Sequence, residues 1–295
     1  MTNTTHETRP SVSPKLILSI GVVLSLAILA LVHWTYFYTP FSETFPSFWS
    51  DYLPYFIILI PALGAAIAGT LVVKQFEKDE PPYRVWLMFA IGWWFWAAGE
   101  VSGLIYGAVY YSDYASYPDF ALTDVFWLVG YFFLGLSLYF QLQLVYVQKG
   151  KGARLFLGII AAALVAAVGL TNLAQRYGLG EGMSWFNVFI SVLYPVLDLV
   201  EGATAIWLSF IFGRGQWVRP WWGVISFALA DAIDSFYWAG GYGLIPVSVQ
   251  TIMDYTSLAV YPASYLIVFL ALLSNYFILR YGENSGLLKS SRPLS

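Results

Sequence analysis

Eight apolar stretches divide the chain, at roughly 15–36, 52–74, 84–111, 120–147, 154–175, 184–213, 219–243 and 251–280, with short polar clusters between them. Each meets or exceeds the roughly 20 residues that a helix needs to cross a ~30 Å hydrocarbon core. The pattern predicts an all-α integral membrane protein of eight transmembrane helices. The first stretch, LILSIGVVLSLAILALV, is long for a signal peptide, and aromatic HWTYFY follows where small cleavage-site residues would stand. It reads as an uncleaved span. No linker or soluble domain appears, so 15–280 is one bundle. The tails 1–14 and 281–295, rich in Thr, Ser, Gly and Pro, read as mobile cytoplasmic ends.

The basic residues orient this pattern. Arg9 and Lys15 precede the first segment; Lys74, Lys78 and Arg84 separate the second and third; Lys149, Lys151 and Arg154 separate the fourth and fifth. Arg214 and Arg219 separate the sixth and seventh, and Arg280, Lys289 and Arg292 follow the eighth. Of the 14 basic residues only Arg176 falls on the other side. The positive-inside rule therefore puts both ends in the cytoplasm. A miscount of one helix would scramble the alternation, which supports the count of eight.

Composition narrows the function classes. The 295 residues are 59% hydrophobic and 11% charged, against about 25% charged in a soluble domain. The lipid bilayer is the solvent for most of the chain. With no Cys, and only His6 and His33, thiolate chemistry and bis-histidine haem are excluded and a histidine zinc site is disfavoured. No cofactor, metal or catalytic motif is indicated. The net charge of −3 and the lack of a basic motif give no reason to expect nucleic acid.

The segments repeat as two-helix hairpins. Segment 3 reads IGWWFWAAGE up to Glu100, and segment 7 reads ISFALADAID up to Asp234. Asp124 precedes Tyr131 by seven residues, Asp254 precedes Tyr261 by seven, and Asn187 precedes Tyr194 by seven. A unit of about 65 residues explains these matches, and its copies share one orientation because each holds two spans.

Five stretches carry a resemblance: WLMFAIGWWFWAAGEVSGLIYG (86–107), PDFALTDVFWLVGYFF (118–133), LYPVLDL (193–199), ALADAIDSFYWAGGYG (228–243) and DYTSLAVYPASYL (254–266). Together they resemble the multi-helix membrane sensor regions at the amino ends of bacterial diguanylate cyclases and sensor kinases. The resemblance spans about 84–280 and implies a repeated-hairpin bundle, a role in signal transduction and a bacterial cytoplasmic membrane. In those proteins a soluble output domain follows the last helix. Here 15 residues follow Arg280, so the resemblance implies a sensor working through a separate signalling partner.

Ionisable groups inside a bilayer cost at least ~2.5–3.5 kcal/mol near its centre and mark candidate sites. At 1.5 Å per residue, Glu100 lies roughly 24 Å beyond Arg84 and Asp234 roughly 22 Å beyond Arg219, both in the outer half. Asp124 and Asp254 begin inward-running segments and share that half. Asp198 and Asp231 belong near the midplane, with Glu201 one turn deeper. Steps of three and four put Asn187, Ser191, Tyr194, Asp198 and Glu201 on one helix face. The same steps join Phe227, Asp231, Asp234 and Trp238; Asp254, Ser257, Tyr261 and Ser264; and Asp124, Trp127 and Tyr131. The stripes are expected to converge on one interior cavity that opens outward.

No Lys or Arg occupies the central part of any span. The acids must therefore be protonated, hydrogen-bonded to Tyr, Ser and Asn, or neutralised by a bound cation, proton or amine. Structural readings stand beside this one. Asp124 and Asp254 in first helical turns suit the helix macrodipole, and Glu100 and Asp234 can tie helices together as hydrogen-bonded acids. Trp217, Trp221 and Trp222 suit an interfacial belt, whereas Trp93, Trp94 and Trp96 lie deeper, where an aromatic wall beside Glu100 suits a cationic or flat hydrophobic ligand. Three functions follow: a membrane sensor binding a small cationic or hydrophobic ligand or a proton; a proton- or cation-coupled transporter with segments 6 and 8 broken at Pro195 and Pro262; and, least favoured, a carboxylate-dependent intramembrane enzyme.

Overall fold

The computed structural model describes residues 10, 12–37, 53–109, 120–146, 150–176, 185–213, 215–238 and 241–287. Eight α-helices account for most of them: α1 (Pro14–Phe37), α2 (Leu53–Val73), α3 (Pro81–Val109), α4 (Leu122–Val145), α5 (Lys151–Arg176), α6 (Trp185–Phe212), α7 (Arg219–Trp238) and α8 (Val247–Tyr281). No strand occurs among the described residues. Both tails lie almost wholly outside them.

Seven of the eight helices are long and apolar enough to cross a membrane. The exception is α7, at 20 residues, which carries Arg219, Asp231 and Asp234. Its acids dilute its hydropathy, yet Trp221, Val224, Phe227 and Ala230 are buried. A helix this polar is held inside the bundle by its neighbours and not by lipid.

Six helices close into a ring. α3 packs between α2 and α4, α4 touches α6, α6 packs on α7, α7 on α8, and α8 returns to α2. α5 lies outside the ring against α6 and α4, and α1 lies outside it against α8. α1 leaves most of its surface exposed and apolar, as a lipid-facing helix does. The start of α1 and the end of α8 meet, with Lys15 against Gly286. This end, where 74–80 also connect α2 and α3, is the terminal face.

Inside the ring, aromatic side chains fill the half nearer the terminal face. Trp86 stacks on Trp221 with ring centroids 6.2 Å apart, and Phe89 meets Trp221 edge-on at 5.1 Å. Phe227 lies 4.7 Å from Trp96, 5.4 Å from Trp93 and 4.5 Å from Tyr265. Edge-to-face pairs like these gain from the ring quadrupoles as well as from packing. Trp222 alone of its group is exposed, as a belt residue would be. Trp221 is buried and belongs to the core.

Close approach of α3 and α4 depends on two glycines that trade places with tryptophans. A Cβ on Gly99 would sit 2.5 Å from the Trp127 indole, and one on Gly130 would sit 2.0 Å from Trp96 Cδ1. Small residues let membrane helices approach closely, where packing is the main attraction. Polar pairs add to it: Ser137 Oγ donates to the Val85 carbonyl at 2.9 Å, and Thr123 Oγ1 to Ser102 Oγ at 3.1 Å.

Two expectations need correction. Pro195 and Pro262 do not break their helices: α6 and α8 run through them, as α2 runs through Pro61. Each proline removes one backbone donor, and the packed neighbours hold the helix together across the gap. Asp254 is not in a first turn, because α8 begins at Val247, directly after Pro246, and places Asp254 two turns in.

Candidate functional site

The aligned tyrosines of the three hairpins define the site. Each donates its hydroxyl to a carboxylate on a different hairpin. Tyr131 of α4 reaches Asp198 Oδ1 of α6 at 2.5 Å and Asp231 Oδ2 of α7 at 3.0 Å. Tyr194 of α6 donates to Asp124 Oδ1 of α4 at 2.9 Å. Tyr261 of α8 donates to Glu100 Oε1 of α3 at 2.8 Å, and Tyr265 joins it at 2.7 Å. Helices α4, α6 and α8 therefore supply the donors, and α3, α4, α6 and α7 supply the acceptors.

Tyr131 is the centre. Its ring is buried edge-on against Trp96 at 5.0 Å and Tyr194 at 6.0 Å. Trp96 is itself fixed by an Nε1–H bond of 3.2 Å to the Trp127 carbonyl. Asp198 and Glu201, one turn apart on α6, are 3% and 4% exposed. Asp198 Oδ2 and Glu201 Oε1 are buried and, among the described residues, have no hydrogen-bond partner. Asp231 is half-buried and has Asp234 and Glu100 as charged neighbours.

The flanking acids are better provided for. Glu100 is 4% exposed and accepts two hydroxyl donors on one oxygen. Asp124 binds Tyr194 through one oxygen and the Ala121 N–H through the other at 2.7 Å, so the expected helix-start role and an interhelical role coexist. Asp234 is exposed and accepts from Ser257 Oγ at 3.1 Å. Asp254 is half-buried within electrostatic range of Asp234.

The stripes thus face inward, but they form one crowded centre and two flanking pairs rather than one pool. Trp96 lines the centre as packing, pressed on Phe227 and Tyr131. The side chains of Asn187, Ser191 and Trp238 lie outside the described residues. Tyr265 is a central residue missing from the sequence-derived set. Tyr265 follows Tyr261 by one turn, so the spacing that selected Ser264 admitted it equally; Ser264 instead bonds back to the Val260 carbonyl at 2.7 Å.

Among the described residues, no three His, Cys, Asp or Glu side chains converge closely enough to hold a metal ion. What the arrangement offers is a cluster of carboxylates with hydroxyl donors, no basic side chain and two unpartnered oxygens. That chemistry suits positive charge. Comparison of the chain with known protein families, with curated proteins and with solved structures returned no match.

Proposed function

We propose that this chain is a sensor or ligand-binding module of the bacterial cytoplasmic membrane. All eight helices span, and both ends lie in the cytoplasm. It binds a small cationic or hydrophobic ligand, or a proton, in the outward half of the ring, and passes the occupied state through the terminal face to a separate signalling partner. Tyr131, Asp198, Glu201 and Asp231 form the binding centre, with Glu100–Tyr261 and Asp124–Tyr194 as supports. The resemblance of the hairpin motifs to sensor regions of cyclases and kinases supports the role.

The observation that carries the reading is the meeting of three hairpins at Tyr131, Asp198 and Asp231, beside two buried carboxylate oxygens with no partner. A positive ligand there would neutralise charges that otherwise stand uncompensated and would be felt by three hairpins at once. The test is thermal stabilisation of purified protein in lipid nanodiscs, titrated with pH and with a panel of small amines. A ligand at a hundred times its dissociation constant stabilises by about 2.7 kcal/mol. Stabilisation that vanishes in Asp198→Asn and Glu201→Gln supports the reading. No response to any amine or to pH would sink it.

The second reading is a proton- or cation-coupled transporter, favoured by paired acids at mid-depth. Substrate flux in proteoliposomes that disappears in Asp231→Asn would establish it. The unbroken course of α6 and α8 through their prolines and the aromatic filling between site and terminal face support sensing over passage.

A further inference from the structure

We propose that the ligand of the central acids is the proton, delivered from Asp231 through the Tyr131 hydroxyl to Asp198 and Glu201, where the line ends blind. This rests on the reading of the acids as a binding centre and names what they bind.

Proton counting comes first. A tyrosine hydroxyl has one proton to donate and lone pairs to accept with. Tyr131 Oη touches two carboxylate oxygens, at 2.5 and 3.0 Å. It donates to one, and the other contact is a hydrogen bond only if that carboxyl carries a proton and donates back. Tyr131 can therefore donate to Asp198 while Asp231, once protonated, donates to Tyr131.

The transfer balances. The O–H bonds of Asp231 and Tyr131 break as new ones form on Tyr131 and Asp198. One proton has moved from α7 to α6, and tyrosine is neutral before and after. Rotation of its hydroxyl resets the link. Asp198 Oδ2 and Glu201 Oε1 are then the unpartnered acceptors. Residues three apart on a helix have Cβ atoms about 5–6 Å apart, within reach of direct or single-water transfer.

Burial gives the line a direction. Asp234 is exposed, Asp231 half-buried, and Asp198 and Glu201 buried. Beyond Glu201 the face of α6 continues with Thr204, whose hydroxyl is taken by the Val200 carbonyl at 2.6 Å, and with fully buried Ala205 and Leu208. Among the described residues, the face beyond the Thr204 hydroxyl turns apolar at Ala205 and Leu208. A blind line suits occupancy and not flux.

Among the described residues, the titratable groups nearest the line are acids and tyrosines. α4 contributes Asp124 and Tyr131, α6 Tyr194, α7 Asp234, α8 Asp254, Tyr261 and Tyr265, and α3 Glu100. α5 brings apolar Phe156, Ile160, Ala163 and Ala167 against α6. Arg84, Arg219 and Arg280 stand at the terminal ends of their helices.

Infrared difference spectroscopy on nanodisc-embedded protein, stepped in pH and from H2O to D2O, reads the carbonyl stretch of protonated carboxylic acids directly. The expected result is a protonated-acid band that grows as pH falls, shrinks in Asp198→Asn and Glu201→Gln, and exchanges at least tenfold more slowly in Tyr131→Phe. A wild-type spectrum without such a band overturns the proposal, even where a variant fails to fold. Equal exchange in Tyr131→Phe and wild type overturns the relay. A cationic ligand that binds while the acids never protonate refutes the proton and leaves the binding centre intact. Protonation with no response at the terminal face retains the proton and refutes the sensor.

Discussion

Tyr131, Tyr194 and Tyr261 each follow Asp124, Asn187 or Asp254 by seven residues, yet their surroundings make them unequal. Tyr131 is buried and serves two carboxylates, one of which already has an unpartnered oxygen. Tyr194 is half-buried, and its acceptor Asp124 keeps the Ala121 N–H. Removing a donor from a buried charged acceptor costs about 1–3 kcal/mol, whereas interhelical bonds in membranes average about 0.6 kcal/mol. Tyr131→Phe is therefore expected to destabilise by about 2 kcal/mol and Tyr194→Phe by about 0.5 kcal/mol, measured by reversible unfolding in mixed micelles. Equal costs would mean that Tyr131 is an ordinary packing residue. At this scale the sequence made the faces legible, because steps of three and four name the residues on a stripe. It could not name the partners: Tyr131 meeting both Asp198 and Asp231 depends on how α4, α6 and α7 lie together, which no local spacing encodes. Tyr265 was missed for a related reason, since spacing alone does not choose between it and Ser264.

Helix–helix contact turns on shape. Ala at Gly130 would drive a methyl into Trp96 at 2.0 Å, and Trp96 braces Tyr131. Gly130→Ala is expected to destabilise by about 2 kcal/mol through overpacking and to impair the binding centre. Gly135→Ala, five residues along with nothing within 4 Å, is expected to gain up to about 1 kcal/mol from helix propensity. Unfolding of the two variants side by side checks this; a neutral Gly130→Ala would contradict the interlocked packing. Phe227 touches Trp93, Trp96, Tyr261 and Tyr265, so Phe227→Ala should cost about 3 kcal/mol in the same assay. Hydropathy placed every helix to within a few residues. It erred at the start of α8, which begins at Val247 directly after Pro246 and so holds Asp254 two turns in; the apolar stretches did run through Pro195 and Pro262, as α6 and α8 do.

The closed ring of α2, α3, α4, α6, α7 and α8, with α1 and α5 outside, was not legible in the sequence. Apolar text records burial in protein and burial in lipid alike, so it does not distinguish α1, whose apolar surface is exposed, from α2, which is half enclosed. The charge alternation does bear on sidedness. Because the chain has no native Cys, single cysteines report it cleanly. Lys78→Cys and Asn284→Cys, both exposed near the terminal face, should label only from the cytoplasm, and Ser248→Cys only from outside. Labelling of Lys78→Cys and Ser248→Cys from the same side would contradict eight spans.

The central claim is that occupancy of the acids is read at the terminal face. Spin labels at Phe210→Cys, 81% exposed on α6, and Lys78→Cys, between α2 and α3, report across that face. Pulsed electron–electron distance measurement at high and low pH, with and without a bound amine, tests the claim directly. The account predicts a distance distribution that shifts with occupancy in the otherwise native chain and stays fixed in Asp198→Asn. A distribution unchanged by pH and by ligand in the otherwise native chain would contradict it.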